Sequence, residues 1–192
     1  MGKTSSIKKI LILSANPQET PRLRWDRELR EIREVKRKAI KRKTFELISE
    51  TAVRTTDIQQ YILEYQPQII HFCGHGTGSN GLVFEDDTGK AKLVSTKALT
   101  DLFKLCRSYV ECVVLNACYS LEQAKEIANH IQYVAAMRQE LGDQAAIEYS
   151  RGFYTAIFAG KSYDMAHEFG RNAIQLEGLC YDDTPIIKKN LD

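Results

Sequence analysis

Two short apolar segments end in side chains that could act as a nucleophile and its base. Residues 69–76 (IIHFCGHG) end in His75 and Gly76, and residues 112–118 (CVVLNAC) end in Cys118. Such runs are typical of buried parallel strands, whose carboxyl ends form the ligand-binding edge of an open α/β sheet. A thiol beside an imidazole provides a nucleophile with a general base. The two segments therefore predict a cysteine–histidine site.

The rest of the chain must place these two strand ends side by side. Strands are predicted at residues 7–14, 45–53, 69–75, 112–118 and 133–137, a β-hairpin at 82–94, and helices at 23–42, 56–65, 96–106, 120–130, 143–159 and 162–176. This alternation is typical of an α/β fold, with a mainly parallel central sheet and helices on both faces. Consecutive crossovers usually make such strands neighbours, so His75 and Cys118 are expected to reach one substrate.

Helix starts and chain ends complete the predicted organisation. Two capping boxes are predicted, one from Thr56 with Gln59 and one from Ser120 with Gln123. Asp143 and Ser162 are predicted to cap the last two helices. Residues 1–6 are expected to be a flexible N-terminus, residues 7–178 one domain, and residues 179–192 a polar, irregular tail around Pro185.

Composition narrows the functional classes. The 192 residues are 43% hydrophobic and 27% charged, as expected of one globular domain. No run approaches the eighteen or so apolar residues of a membrane span, so no membrane association is expected. The five cysteines include no CxxC pair, which favours a reducing, cytoplasmic setting without disulfides.

The segment 22–43 is strongly basic, with eleven Lys and Arg against four Asp and Glu. Such a segment could grip nucleic acid or an anionic surface. However, its apolar stripe and interleaved acids fit better a helix packed on the sheet with a solvated outer face. No nucleic-acid partner is therefore expected, while a protein partner on this face stays open.

A zinc site is the alternative interpretation of the histidine and cysteine residues at 71–75. His71, Cys73 and His75 share one strand face by alternation, and Cys118 could complete the set. A flat strand splays such ligands apart, and His71 should lie deep in the sheet. We therefore predict no metal and no cofactor.

At these residues the sequence resembles the caspase-like clan of cysteine peptidases and, within it, the CHAT domains, in particular a subgroup common in cyanobacteria. HFCGHG and VVLNACYS match that family's histidine and cysteine motifs, and the likeness extends over residues 7–178, including the hairpin GLVFEDDTGKAKLVS. The resemblance implies a caspase-like three-layer sandwich and cysteine endopeptidase chemistry. In it, His75 corresponds to the catalytic histidine and Cys118 to the nucleophile.

Substrate contacts follow less directly from the resemblance. Metacaspase-like relatives place an Asp two residues before the nucleophile to hold a basic side chain, but this chain has Asn116 there. Basic specificity therefore cannot be carried over by that route. Asn116 stays a substrate-binding candidate, and so does Asp143, although a helix cap explains Asp143 more simply. The backbone N–H groups of Gly76 and Cys118 are the expected oxyanion donors.

Three functions remain open from the sequence. The first is a cysteine endopeptidase that cleaves proteins or peptides through a thioester, expected as an effector in bacterial defence or regulated cell death under a sensor or regulatory protein. The second is a caspase-fold interaction module with little activity unless a partner binds. The third is a phosphate- or nucleotide-binding α/β domain.

Overall fold

The structure, a computed structural model, describes residues 7–190. Its strands are β1 (Lys8–Ser14), β2 (Phe45–Thr51), β3 (Ile69–Cys73), β4 (His75–Gly76), β5 (Leu82–Glu85), β6 (Ala91–Val94), β7 (Cys112–Asn116), β8 (Tyr133–Met137) and β9 (Pro185–Lys189). Its helices are α1 (Trp25–Lys38), α2 (Ile58–Tyr65), α3 (Thr96–Cys106), α4 (Leu121–Ile127), α5 (Asp143–Phe158) and α6 (Tyr163–Leu176). The predicted order of strands and helices along the chain is confirmed up to α6, and α1 is shorter at both ends than predicted. The predicted N-terminal segment 1–6 lies outside the described residues.

A six-stranded sheet forms the centre, in the order β2-β1-β3-β7-β8-β9. Its first five strands are parallel, and β9 pairs antiparallel with β8. The predicted adjacency of the two motif strands is confirmed, because β3 pairs with β7 and Cys73 lies opposite Asn116. His75 and Cys118 each follow this last pair by two residues.

Helices cover both faces of the sheet and enclose two apolar cores. One face packs against α2, α3 and α4, and the other packs against α1, α5 and α6. The β3 and β7 residues alternate between the two cores, as the pleat of a strand requires. This architecture is the expected caspase-like three-layer sandwich.

His75 does not continue the strand that carries His71 and Cys73, contrary to the sequence prediction. Strand β3 ends at Cys73, opposite the last residues of both its neighbours, Ser14 and Asn116. Beyond that point the central sheet offers no further ladder, so the backbone of His75 pairs with the hairpin instead. The strands β4, β5 and β6 form a separate antiparallel sheet, which confirms the predicted hairpin.

The predicted irregular tail around Pro185 is also wrong. Residues 185–189 form β9 and pair with β8, with Pro185 opposite Met137. A proline at the first position of an edge strand leaves the ladder intact. The backbone groups of β9 pair with the edge of β8, and nothing in the sequence around Pro185 indicates this partner strand.

The predicted capping box at α2 does not form. Asp57 stands at the start of this helix without a side-chain cap, and its carboxylate accepts hydrogen bonds from Arg54 at 2.7 and 2.9 Å. The predicted cap at α6 is confirmed, because Ser162 accepts a hydrogen bond from the backbone of Met165.

Within residues 7–190, every helix is too short or too polar to pass through a lipid bilayer.

The contact between α5 and α6 gives a test of the packing. A methyl group on Gly152 would overlap the carbonyl oxygen of Phe169 and would crowd Ala173 and Gly170. Alanine normally stabilises a helix interior relative to glycine. Here overpacking should prevail, so Gly152→Ala should lower the free energy of unfolding by about 1–3 kcal/mol.

Denaturant unfolding measures this effect. Asn172→Ala, at an exposed position of α6, serves as the control and should stay within about 0.5 kcal/mol of the parent. A Gly152→Ala chain as stable as the parent would show that the two helices do not approach as described.

Candidate active site

The two motif segments touch each other beyond the ends of β3 and β7. A Cβ atom on Gly76 would overlap the carbonyl oxygen of Cys118. The glycine is therefore required by the close approach of two backbones. His75 and Cys118 are brought to one place by this contact.

His75 is held by a backbone carbonyl that the sequence analysis missed. Its Nε2 lies 3.0 Å from the carbonyl oxygen of Pro21, in the loop between β1 and α1. A carbonyl can only accept, so Nε2 carries the proton and Nδ1 of the neutral ring is left as a base. The sequence gives no signal for this hydrogen bond, because the acceptor is the main-chain carbonyl of Pro21, which every residue type carries.

Partial burial favours the neutral form of His75. Burial lowers the pKa of His75 below its ordinary value of 6.5, while the Pro21 carbonyl and the carboxylate of Asp143 partly oppose the shift. A neutral imidazole can accept a proton from a thiol.

Cys118 is partly buried and is held from the other side. The N–H of Leu141 donates to its Sγ at 3.4 Å, and Sγ lies 3.8 Å from the Leu141 carbonyl oxygen. The next residue, Tyr119, has a positive φ of 55°. Such strain in a non-glycine residue is common beside functional groups, and here it turns the chain sharply after the thiol.

No hydrogen bond links His75 to Cys118 among the described residues. Each side chain is instead held by backbone groups on its own side of the contact, Pro21 for the imidazole and Leu141 for the thiol. Catalytic hydrogen bonds are often loose without substrate and tighten when it binds. The expected oxyanion donors, the N–H groups of Gly76 and Cys118, belong to the same contact and stay a prediction.

Ser120 and Gln123 do not form the predicted capping box, because tertiary partners take their side chains. Ser120 Oγ donates to the Leu115 carbonyl at 3.2 Å and accepts from the Met137 N–H at 3.0 Å. These two hydrogen bonds tie the turn that follows β7 to strand β8.

The side chain of Gln123 fixes the histidine loop to the start of α4. Its Nε2 donates to the Gly78 carbonyl at 2.6 Å and to Thr96 Oγ1 at 2.8 Å. Gln123 is fully buried, so these bonds are shielded from water. Together with Ser120 it positions the two loops that carry His75 and Cys118.

A small pocket of about 40 Å³ opens beside Cys118. It is lined by Leu23, Arg24, Trp25, Glu28, Cys73, Gly74, Asn116, Ala117, Cys118, Met137, Leu141, Asp143, Ala146 and Ile147. Both predicted substrate-binding residues, Asn116 and Asp143, are in its wall. The predicted cap role of Asp143 is wrong, because Gly142 occupies the cap position and Asp143 is exposed as the first residue of α5.

A buried carboxylate, Glu28, lies in this pocket and was missed by the sequence analysis. Its Oε1 accepts hydrogen bonds from Asn116 Nδ2 at 2.7 Å and Ser150 Oγ at 2.5 Å, and it lies 2.9 Å from His71 Nε2. Burial acts to raise the pKa of Glu28, but these partners outweigh it and the pKa falls below 4.5. An acid on the apolar stripe of α1, between Trp25 and Leu29, was the available signal.

The zinc set considered from the sequence is not assembled. Within the described part of the chain, His71 and Cys73 instead group with Glu28, their donor atoms lying within 4.8 Å of one another. Burial and the nearby carboxylate raise the pKa of the Cys73 thiol well above its usual value. His71 Nδ1 also lies 3.0 Å from Tyr154 OH. The approach of His71 Nε2 to Glu28 Oε1 and the contact of its Nδ1 with Tyr154 account for the position of His71.

The titration of His75 tests this electrostatic description. Its ring proton resonances should shift with a midpoint below pH 6.5. Asp143→Asn should lower the midpoint further, since it removes a carboxylate that stabilises the imidazolium. NMR titration of a Cys118→Ser chain measures both values without coupling to the thiol.

Asp101→Asn is the matched control, because this exposed carboxylate pairs with Lys97 on α3. It should leave the His75 midpoint unchanged. A His75 midpoint above 6.5, or one insensitive to Asp143→Asn, would contradict the assigned surroundings.

Gly76→Ala tests the contact between the two loops. The added methyl group must push the Cys118 backbone away, so alkylation of Cys118 by iodoacetamide at pH 7 should slow by roughly tenfold or more. Mass spectrometry of the labelled peptide measures the rate. Gly142→Ala is the control, since its nearest neighbours are 3.9 Å away, and an equal effect from both substitutions would refute the contact.

Comparisons with known proteins place the chain in a family. A family model for the CHAT domain matches residues 3–174. Over 203 residues the chain is 28% identical to a Roc-COR-CHAT protease from an unknown prokaryotic organism, covering 98% of this chain and 19% of that protein. It is 25% identical over 193 residues to a probable protease of Gillisia limnaea, covering 97% of this chain and 34% of that protein.

The chain thus spans less than half the length of either curated relative. The family match, by contrast, covers most of its own residues and includes both motif segments. The chain therefore belongs to the CHAT domain family.

Proposed function

We propose that this protein is a cysteine endopeptidase in which Cys118 is the nucleophile and His75 the general base. The contact between their two loops, together with the hydrogen bond that leaves Nδ1 of His75 free, carries the proposal. The family match and two relatives named as proteases support peptidase chemistry in general.

In the proposed reaction, His75 takes the thiol proton and the sulfur of Cys118 attacks the carbonyl carbon of the scissile peptide bond. The N–H groups of Gly76 and Cys118 stabilise the oxyanion that forms. Collapse of this intermediate breaks the C–N bond, and the imidazolium returns its proton to the leaving amine. Water, deprotonated by His75, then hydrolyses the thioester and releases the acid product and the thiol.

A second candidate is a domain that stays nearly inactive until a partner binds. One observation favours it: Sγ of Cys118 is hydrogen bonded to Leu141, and among the described residues it has no hydrogen bond to His75. A sensor or regulatory protein could supply the missing step by moving either loop. A role as an effector in bacterial defence or regulated cell death would fit such control.

Covalent labelling separates the two candidates. A peptidyl acyloxymethyl ketone should modify Cys118 selectively among the five thiols, and the rate should fall at least about 100-fold in His75→Ala. Tandem mass spectrometry locates the label. Cys180, an exposed thiol far along the chain from both motifs, is the internal control and should react slowly in both proteins.

Cys180→Ser should leave labelling of Cys118 unchanged, which excludes an indirect effect of that thiol. Equal, slow labelling of Cys118 and Cys180 in the parent chain would reject the endopeptidase proposal for the isolated domain. Labelling that ignores His75→Ala would reject His75 as the base.

A further inference from the structure

We propose, on the basis of the proposed function, that the pocket beside Cys118 binds the residue before the scissile bond and selects a cationic side chain, lysine or arginine, through Glu28. The carboxylate that binds the basic side chain then comes from α1, an element distant in sequence from both motifs. It takes the part that an Asp at position 116 plays in metacaspase-like relatives, since this chain has an asparagine there.

The position of the pocket determines which substrate residue it receives. Cys118 and its neighbour Ala117 line the pocket, and Asn116 continues its wall inward. In the proposed reaction the scissile carbonyl carbon bonds to Sγ, which tethers the side chain of the acyl-side residue beside this opening. That side chain belongs to the residue before the scissile bond.

The three polar partners of the Glu28 carboxylate share one oxygen, and the thiol of Cys73, a weak hydrogen-bond donor in the pocket wall, lies beside the same carboxylate. The hydrogen bonds from Asn116 and Ser150 and the contact with His71 all fall on Oε1 of Glu28. None of them reaches Oε2. His71 is fully buried and is not part of the pocket wall, so it does not occupy the substrate side.

The walls suit the aliphatic part of a basic side chain. Trp25, Met137, Leu141 and Ile147 are among the lining residues, and most of the wall between the opening and Glu28 is apolar. Lysine and arginine carry an apolar stem with a charged tip, which matches this order of surfaces.

Charge decides between a lysine and an apolar side chain of the same shape. Glu28 is only 5% exposed, so an apolar occupant would remove the last water from an ionised carboxylate. A cation would replace that water with an ion pair. The charged groups at the rim, Arg24 and Asp143, have opposite signs, which leaves Glu28 as the deciding charge.

Substrates that lose only the charged group test the proposal on the unmodified protein. The peptides differ only before the scissile bond: norleucine is lysine without its terminal ammonium, and citrulline has the shape of arginine without its charge. We expect kcat/KM at least about tenfold higher for each cationic member. Where turnover is too slow, the same pairs are compared as acyloxymethyl ketones through their rates of Cys118 labelling.

Glu28→Gln then assigns the selectivity to one residue. It keeps the shape and one acceptor oxygen but replaces the other carboxylate oxygen with an NH2 donor and removes the charge, so the lysine-to-norleucine ratio should fall to about one while the norleucine reagent still labels Cys118. That residual labelling, with a thermal melt, shows that the variant is folded. Glu31→Gln, on the same helix outside the pocket, is the control and should keep the parent ratio.

The outcomes distinguish this inference from the function on which it rests. Equal or faster reaction with norleucine in the parent chain would overturn the basic specificity and leave the cysteine endopeptidase standing. A preference for lysine that survives in folded Glu28→Gln would overturn the role of Glu28. Failure of all substrates and reagents to react at Cys118 would overturn the proposed function itself.

Discussion

The parallel pairing of β3 with β7 is the constraint on which the site depends. The two strands are in register up to Cys73 and Asn116, so both chains leave the sheet at the same level and in the same direction. Everything reactive follows within two residues of that pair. A shift of one residue would exchange the faces of every side chain on β3, burying the histidine loop in the wrong core.

Beyond the sheet, backbone groups rather than side chains hold the reactive pair. The Pro21 carbonyl holds the imidazole and the Leu141 N–H holds the thiol, while Gly76 lets one backbone pass directly over the other. Main-chain groups are rigidly placed by the elements on either side, which is an economical way to preorganise a base and a nucleophile. The side chain of Gln123 then fixes the histidine loop to α4.

Beneath the site, a polar network connects the sheet to the helices on one face. Glu28 on α1, Ser150 on α5, and His71 with Asn116 in the sheet meet at one carboxylate oxygen. Removing a partner from a buried ionic group typically costs about 3–5 kcal/mol, so the contacts on Oε1 of Glu28 hold α1, α5, β3 and β7 together. It gives a charged floor to a pocket that opens beside the sulfur of Cys118.

Much of the fold could be predicted because its signals are local. Apolar runs such as 112–116 and the turn-rich hairpin 82–94 follow directly from residue type and period, and the short loops allow little choice of topology. The reactive residues were found for the same reason, since His75 and Cys118 end such runs. The edge strand around Pro185 was not, because its partner lies some fifty residues away on β8.

The sequence by itself determined the alternation of strands and helices, the two reactive side chains and the glycine beside His75, because period and residue chemistry are properties of short segments. Only the tertiary structure decided what surrounds them. The Pro21 carbonyl, the exchange of the Ser120 and Gln123 caps for loop contacts, and the arrival of Glu28 in the pocket all join residues distant along the chain. Hydrogen bonds and burial depend on which atoms are close in space. Residues that are far apart along the chain become neighbours only when the chain folds.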